Sequence, residues 1–111
     1  MYEYSALCTR IIDGDTIDAS VDLGFSVWVK VRIRLQGIDA PETRTKNLSE
    51  KMEGLRTKEY LKTIMDGSGG YFVLRSHGVG KYGRCLGTIY VNGEDINQKL
   101  LAEGYAKEYK K

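Results

Sequence analysis

Apolar and polar residues alternate most regularly over residues 26–35, and this period of two is typical of a half-buried β-strand. The alternation assigns to one face the apolar residues Val27, Val29, Val31, Ile33 and Leu35, and to the other Trp28, Lys30, Arg32 and Arg34. Two earlier strands are predicted over residues 4–12 and 16–21, since Asp13 and Gly14 between them form a hairpin signal.

A change of period after Pro41 predicts a helix over residues 47–66. Asn47 with Glu50 three residues later resembles a capping box, and Gly67 is a plausible stop. The predicted apolar stripe of this helix is imperfect and is weakened by Gly54. It consists of Leu48, Met52, Leu55, Leu61, Ile64 and Met65.

The second half of the chain predicts two more strands, over residues 69–75 and 84–91, separated by a glycine-rich loop over residues 77–82. A turn at Asn92 and Gly93 leads into a short helix over residues 95–103, which Gly104 closes. Three strands, a helix, two strands and a helix fit a mainly β, α+β fold. The order predicts one domain over residues 1–111, a five-stranded Greek-key barrel of the OB type with one long and one short helix.

Composition narrows the class of protein only slightly. The 111 residues are 41% apolar and 29% charged, which is ordinary for a globular domain, and the chain has no apolar run long enough to span a membrane. The N-terminus shows no signal-peptide pattern, and no obligate protein partner is evident, so we expect a monomer without a membrane partner. Residues 1–42 hold seven acidic and four basic residues, and residues 43–111 hold eight and thirteen. This asymmetry fits an enzyme that processes a polyanion.

Two cysteines, Cys8 and Cys85, do not have the spacing of a zinc site, and one histidine cannot supply the remaining ligands. We predict that both thiols are small apolar side chains in strands, with a single disulfide as the alternative. We also predict that Trp28 packs under the helix or the tail, although a tryptophan on a polar strand face can stack on a base.

Carboxylates gather where the chain bends. Asp15 follows the turn at Gly14, and Asp39 and Glu42 flank Pro41. Alone, the Asp-Gly-Asp sequence indicates a turn, but an ionised Asp39 beside apolar residues is costly unless a cation pairs with it. We therefore predict that Asp15 and Asp39 share one Ca²⁺ with a backbone carbonyl and waters. A bend or bulge near Gly37 would let Asp39 face the same pocket as Arg34.

Two arginines complete the predicted site. Arg34 and Arg84 could grip the oxygens of one phosphate if they meet, although their spacing does not show that they do. Taken alone, each arginine is more often a solvated surface side chain. Glu42 could orient or deprotonate the attacking water, or only hold metal-bound waters. Together these residues predict metal-assisted cleavage of a phosphodiester.

Four blocks in series resemble the staphylococcal nuclease, or thermonuclease, family. They cover residues 12–16, 34–43, 81–84, and 91–93 with 100–107. The resemblance implies an OB-fold barrel that uses Ca²⁺ to cleave DNA and RNA to 3′-phosphate products. It also implies that Asp15, Asp39 and the Ala40 carbonyl bind the ion, and that Arg34 and Arg84 hold the phosphate.

The same resemblance implies that Glu42 is the general base and that Lys81 and Tyr82 contact the terminal phosphate and sugar of a nucleotide. Tyr109 is the approximate counterpart of a further substrate tyrosine. The alternative is a catalytically inactive OB-fold module that binds nucleic acid or protein, and a purely structural domain is a third. The complete set of carboxylates and arginines favours the enzyme.

Overall fold

The fold is a barrel of five strands that includes the hairpin predicted from the turn at Asp13 and Gly14. In the computed structural model, which describes residues 2–80 and 83–109, two helices accompany eight strands. The strands are β1 (Tyr2–Asp13), β2 (Thr16–Asp22), β3 (Trp28–Leu35), β4 (Ile38–Asp39), β5 (Tyr71–Val79), β6 (Cys85–Val91), β7 (Glu94–Asp95) and β8 (Lys107–Glu108). The helices are α1 (Leu48–Gly67) and α2 (Ile96–Ala102).

Closure of the barrel follows from one parallel pairing. The antiparallel order is β3-β2-β1-β5-β6, and β6 returns beside β3, with Cys85 next to Ile33. Strands β4 and β8 pair separately at the edge. The OB-type barrel with one long and one short helix is therefore confirmed. Within the described residues, no helix is both long and apolar enough to cross a membrane.

The core confirms the period-two pattern at the closed end of the barrel. Ile17, Ile33, Leu35 and Ile89 are completely buried inside it, and Leu61 of α1 is equally buried. Helix α2 contributes Ile96 and Leu100 to the same core. Removing these side chains from water is the main stabilising contribution of a domain this size.

The predicted apolar stripe of α1 is wrong in its first half. Leu48 and Met52 are about 70% exposed, whereas Gly54 and Thr57 are buried. The reason is a close approach by the segment that follows β4: a Cβ on Gly54 would lie 2.6 Å from the carbonyl oxygen of Pro41. The predicted cap is confirmed, because the Asn47 side chain accepts a hydrogen bond from the Glu50 amide at 3.2 Å.

The hairpin of β2 and β3 extends beyond the barrel, so one end of the predicted apolar face of β3 is exposed to solvent instead of buried. The pairing of β1 with β2 ends at Ala6 and Val21, so the apolar residues beyond it have no neighbouring layer. Val27 is 52% exposed as a result. Trp28 is 51% exposed, so the predicted packing of its ring under a helix or the tail is wrong.

Two further predictions concern the glycine-rich loop and the two cysteines. Strand β5 begins at Tyr71 and runs to Val79, so residues 77–79 are strand and not loop, since the ladder with β6 resumes at Val79 and Cys85 after a bulge. Cys8 and Cys85 are free thiols, so the alternative of a disulfide is excluded. Burial raises the pKa of Cys8, which makes it less reactive as a thiolate.

Acid is expected to weaken the link between the two helices. The Tyr60 hydroxyl donates to Glu103 at 2.8 Å, and this bond lowers the pKa of Glu103. A carboxylate whose pKa is lowered in the folded state stabilises the fold at pH values above its ordinary pKa of about 4.3. This stabilisation is lost as the pH falls through the pKa of the folded state. The melting temperature of Glu103→Gln should lie below that of the wild type at neutral pH, and the two should converge in acid, once the pH falls below the folded pKa of Glu103. Glu59→Gln is the control, and an equal loss at neutral pH and in acid would contradict this cause.

Candidate active site

Asp15 is held firmly at the turn between β1 and β2. Its side chain is almost buried, Oδ2 accepts a hydrogen bond from the Ala40 amide at 2.8 Å, and Oδ1 accepts from the Thr16 hydroxyl at 3.0 Å. The Asp15 carbonyl also accepts from the Leu35 amide at 2.8 Å. A carboxylate fixed by this many bonds loses little freedom when it binds a ligand.

Arg34 joins the two aspartates of the predicted metal site. Its Nη1 lies 3.5 Å from Asp15 Oδ2, and its Nη2 lies 3.4 Å from Asp39 Oδ1. Nη1 also donates to the Leu35 carbonyl at 3.0 Å. The Arg34 side chain is only 15% exposed, whereas that of Asp39 is 61% exposed. The cluster therefore has a buried side and a side open to solvent, from which a ligand can approach.

Gly37 provides the bend on which this convergence depends. It has a φ of +84°, a region that favours glycine, and it lies in the turn between β3 and β4. A regular strand would send Arg34 and Asp39 to opposite faces, so the predicted bend is confirmed. The support for this bend was not predicted: buried Asn97 of α2 donates to the Gln36 carbonyl at 2.9 Å and to the Gly87 carbonyl at 3.0 Å. An asparagine inside a short apolar helix was the only signal.

The segment from Asp39 to Thr43 is clamped on two sides. The hydroxyl of Thr43 donates to Asp13 Oδ1 at 2.5 Å, so Asp13 does more than form the predicted turn. On the other side, Gly54 of α1 lies against the carbonyls of Pro41 and Glu42. This clamp determines where the Ala40 amide and carbonyl lie relative to Asp15.

The C-terminal tail returns to the site. The Tyr109 amide donates to the Gly37 carbonyl at 3.0 Å, and Arg34 Cζ lies 5.6 Å from the centre of the Tyr109 ring. Farther back, the Thr57 hydroxyl of α1 donates to the Tyr105 carbonyl at 2.7 Å. The tail thus brings Tyr109, a predicted substrate residue, within contact of the predicted phosphate-binding arginine.

The remaining predicted residues lie less centrally. Glu42 is exposed, and in the part of the chain that the structure describes its carboxylate has no hydrogen-bond partner. Arg84 is half-buried and lines a groove with Lys30 and Arg32, whereas Asp39 and Ala40 line a different cleft. Lys81 and Tyr82 lie outside the described residues.

The available donors suit a hard cation with an incomplete protein shell. Within residues 2–80 and 83–109, no group of three or more His, Cys, Asp or Glu side chains forms a ready-made metal cluster. Asp15 and Asp39 nevertheless approach the same guanidinium, and the Ala40 amide binds Asp15, which keeps the backbone of Ala40 beside this carboxylate. Oxygen ligands of this kind, completed by water, are what Ca²⁺ accepts.

The fold and the site together define the class of protein: an OB-type barrel that carries an Asp–Arg–Asp cluster at one end. Residues 32–111 match the family described as staphylococcal nuclease homologue, and the chain belongs to this family.

Three relatives illustrate the range of the family. The chain is 33% identical to Endonuclease YhcR of Bacillus subtilis (strain 168), over 96% of this chain and 9% of that protein. It is 32% identical to Protein ParB of Escherichia coli, over 91% of this chain and 55% of that protein. It is also 32% identical to Thermonuclease of Staphylococcus intermedius, over 93% of this chain and 58% of that protein. The chain thus spans less than two thirds of the length of each.

Proposed function

We propose that this chain is a Ca²⁺-dependent nuclease that hydrolyses phosphodiester bonds of DNA or RNA and leaves 3′-phosphate ends. The observation that carries the proposal is the contact of Arg34 with both the nearly buried Asp15 and the exposed Asp39. Family membership and relatives named as nucleases support the nuclease part of the proposal.

Asp15, Asp39 and the Ala40 carbonyl would hold the ion, which when bound polarises the phosphate and activates water. Arg34 and Arg84 hold non-bridging oxygens of the phosphate, and Glu42 orients the attacking water or accepts its proton. Lys81, Tyr82 and Tyr109 contact the terminal phosphate and sugar. The water oxygen bonds to phosphorus as the bond to the 5′ oxygen breaks, which yields a 3′-phosphate and a 5′-hydroxyl.

Charge development explains why arginine serves this reaction. The phosphorus gains negative charge as water attacks, so a permanent cation aimed at its oxygens stabilises the transition state more than the substrate. A guanidinium also binds phosphate through two parallel hydrogen bonds, which a lysine cannot match. Arg34 is already held in place by Leu35 and the two aspartates, so little reorganisation is needed.

Removal of divalent ions is the direct test. We expect single-stranded DNA to be cleaved with Ca²⁺ and to remain intact with excess chelator, because Asp15 and Asp39 would repel a phosphate without the ion. End analysis with a 3′-phosphatase should identify the product ends. Arg84→Ala should cleave far more slowly than the wild type.

Two results would overturn parts of this proposal. Cleavage that persists in excess chelator would exclude the metal, and full activity of Arg84→Ala would exclude that residue from phosphate binding. No cleavage with any divalent ion, together with retained binding, would favour the inactive OB-fold module.

A further inference from the structure

One row of side chains leads away from the candidate active site along β3. Ile33 and Leu35 are completely buried, so Arg34 between them faces outward, as does every second residue before it on the strand. The register of β2 and β3 runs without a bulge from the pair of Thr16 and Arg34 to that of Asp22 and Trp28. One outer face therefore carries, in order from the site, Arg34, Arg32, Lys30 and Trp28.

Positive charge predominates along the middle of this face, whereas Asp22 lies opposite Trp28 at its far end. Lys30 is exposed, and within residues 2–80 and 83–109 no carboxylate lies in ion-pair range of its amine. Arg32 is half-exposed and is positioned by Asp18, whose Oδ1 lies 2.8 Å from Nε. A groove of about 720 Å³ beside the row is lined by Lys30, Arg32, Arg84 and Asp18. Three cations against one carboxylate favour a polyanion in this groove.

Trp28 ends the row and provides a different kind of contact. Its ring is 51% exposed, at the part of the hairpin that extends beyond the barrel. At about 3.3 Å per residue, it lies roughly 20 Å along the strand from Arg34. A basic groove combined with an exposed aromatic ring is how proteins bind single-stranded nucleic acid, because every base offers a flat face for stacking.

We propose that the outer face of β3 binds one polynucleotide strand, which runs from the phosphate at Arg34 past Arg32 and Lys30 to a base stacked on Trp28. This track rests on the proposed nuclease function and makes binding depend on substrate length. The apolar side of the same hairpin, with Leu23 and Val27, lies on the opposite face and is not part of the track. A protein or membrane partner would use that side instead.

Trp28 is the only tryptophan in the chain, so its fluorescence reports the far end of the track directly. With Ca²⁺ present, an unpaired oligothymidylate of about 12 nucleotides whose phosphorothioate linkages resist cleavage should quench the emission. A dinucleotide, which reaches only the Arg34 end, should not. Quenching by both lengths alike, or by neither, would overturn the track.

Substitutions test each contact separately. Trp28→Ala should weaken binding of the 12-nucleotide strand by roughly 5- to 100-fold, measured by fluorescence anisotropy of a labelled strand, and Trp28→Phe should restore most of it. Lys30→Ala should reduce the salt slope, the dependence of log affinity on log salt concentration, by about 0.7. Arg75→Ala is the matched control, because this exposed arginine lies on β5 and pairs with Glu3. Melting temperatures confirm that the variants fold.

Cleavage measured with Ca²⁺ separates the failure of this proposal from that of the proposed function. If the wild type cleaves but Trp28→Ala and Lys30→Ala match it in affinity for the 12-nucleotide strand, the track is wrong and the nuclease stands. If the wild type never cleaves, yet Trp28→Ala and Lys30→Ala both bind the 12-nucleotide strand more weakly than the wild type does, the track stands and the nuclease is wrong. Quenching by lipid vesicles without quenching by the strand would assign the hairpin to a membrane instead.

Discussion

Arg34→Ala is expected to lower the rate of phosphodiester cleavage by roughly 10²–10³-fold, as loss of one transition-state donor does in other enzymes. Arg34 touches Asp15, Asp39 and the Leu35 carbonyl, so no neighbouring side chain can replace it. The loss should appear mainly in kcat, because under the proposed function Arg34 stabilises charge that develops only during the reaction. Steady-state cleavage of single-stranded DNA at saturating Ca²⁺ measures this loss.

Stability must be separated from catalysis in this experiment. Removal of Arg34 leaves the nearly buried Asp15 carboxylate without its cation, which is costly in itself. Arg34→Lys keeps the charge but cannot reach both aspartates, so it should fold well and still cleave slowly. Arg75→Ala removes a half-exposed arginine on β5, which pairs with Glu3, and should cleave normally. Arg34→Lys with wild-type kcat would show that the forked geometry is unimportant.

Gly54→Ala is expected to lower the free energy of unfolding by about 1–3 kcal/mol, although alanine normally favours a helix. The added Cβ would lie 2.6 Å from the Pro41 carbonyl oxygen and 2.7 Å from that of Glu42, and both belong to backbone that cannot turn aside. The segment must therefore shift away from α1. This shift would also disturb the Ala40 amide that binds Asp15, so activity should fall along with stability.

Gly67→Ala is the matched control on the same helix. No atom lies within 4 Å of a Cβ built there, so the change should be neutral or stabilising by up to about 1 kcal/mol. Urea unfolding of both variants measures the difference in the free energy of unfolding. Cleavage assays at low temperature compare the activities of the two variants in their folded state. Gly54→Ala with a stability equal to that of Gly67→Ala would show that the segment yields without cost.

Much of the barrel followed from local rules. The alternation along β3, the turn at Asp13 and Gly14, and the cap at Asn47 each depend on residues close in sequence, and each was predicted correctly at its centre. The bend at Gly37 was also predicted, because a strict period of two would have separated Arg34 from Asp39.

Predictions failed where a distant segment decided the environment. The first turns of α1 look apolar at Leu48 and Met52, yet the helix packs through Gly54 because the Pro41 segment lies against it. Nothing near Trp28 shows that β1 ends its pairing at Ala6 and leaves the hairpin uncovered. The position of Arg84 beside Arg32 likewise depends on the parallel pairing of β6 with β3.

The sequence by itself therefore determined the elements of the barrel and the residue types of the proposed phosphate and metal site, because periodicity and turn chemistry act over a few residues. Only the tertiary structure decided that Arg34 contacts both Asp15 and Asp39, that Asn97 supports the turn at Gly37, and that Tyr109 returns to the site. Apart from the pair of Arg34 and Asp39, which lie five residues apart, these contacts join residues far apart in sequence. Their geometry depends on how the strands close and the helices pack, which no local pattern specifies.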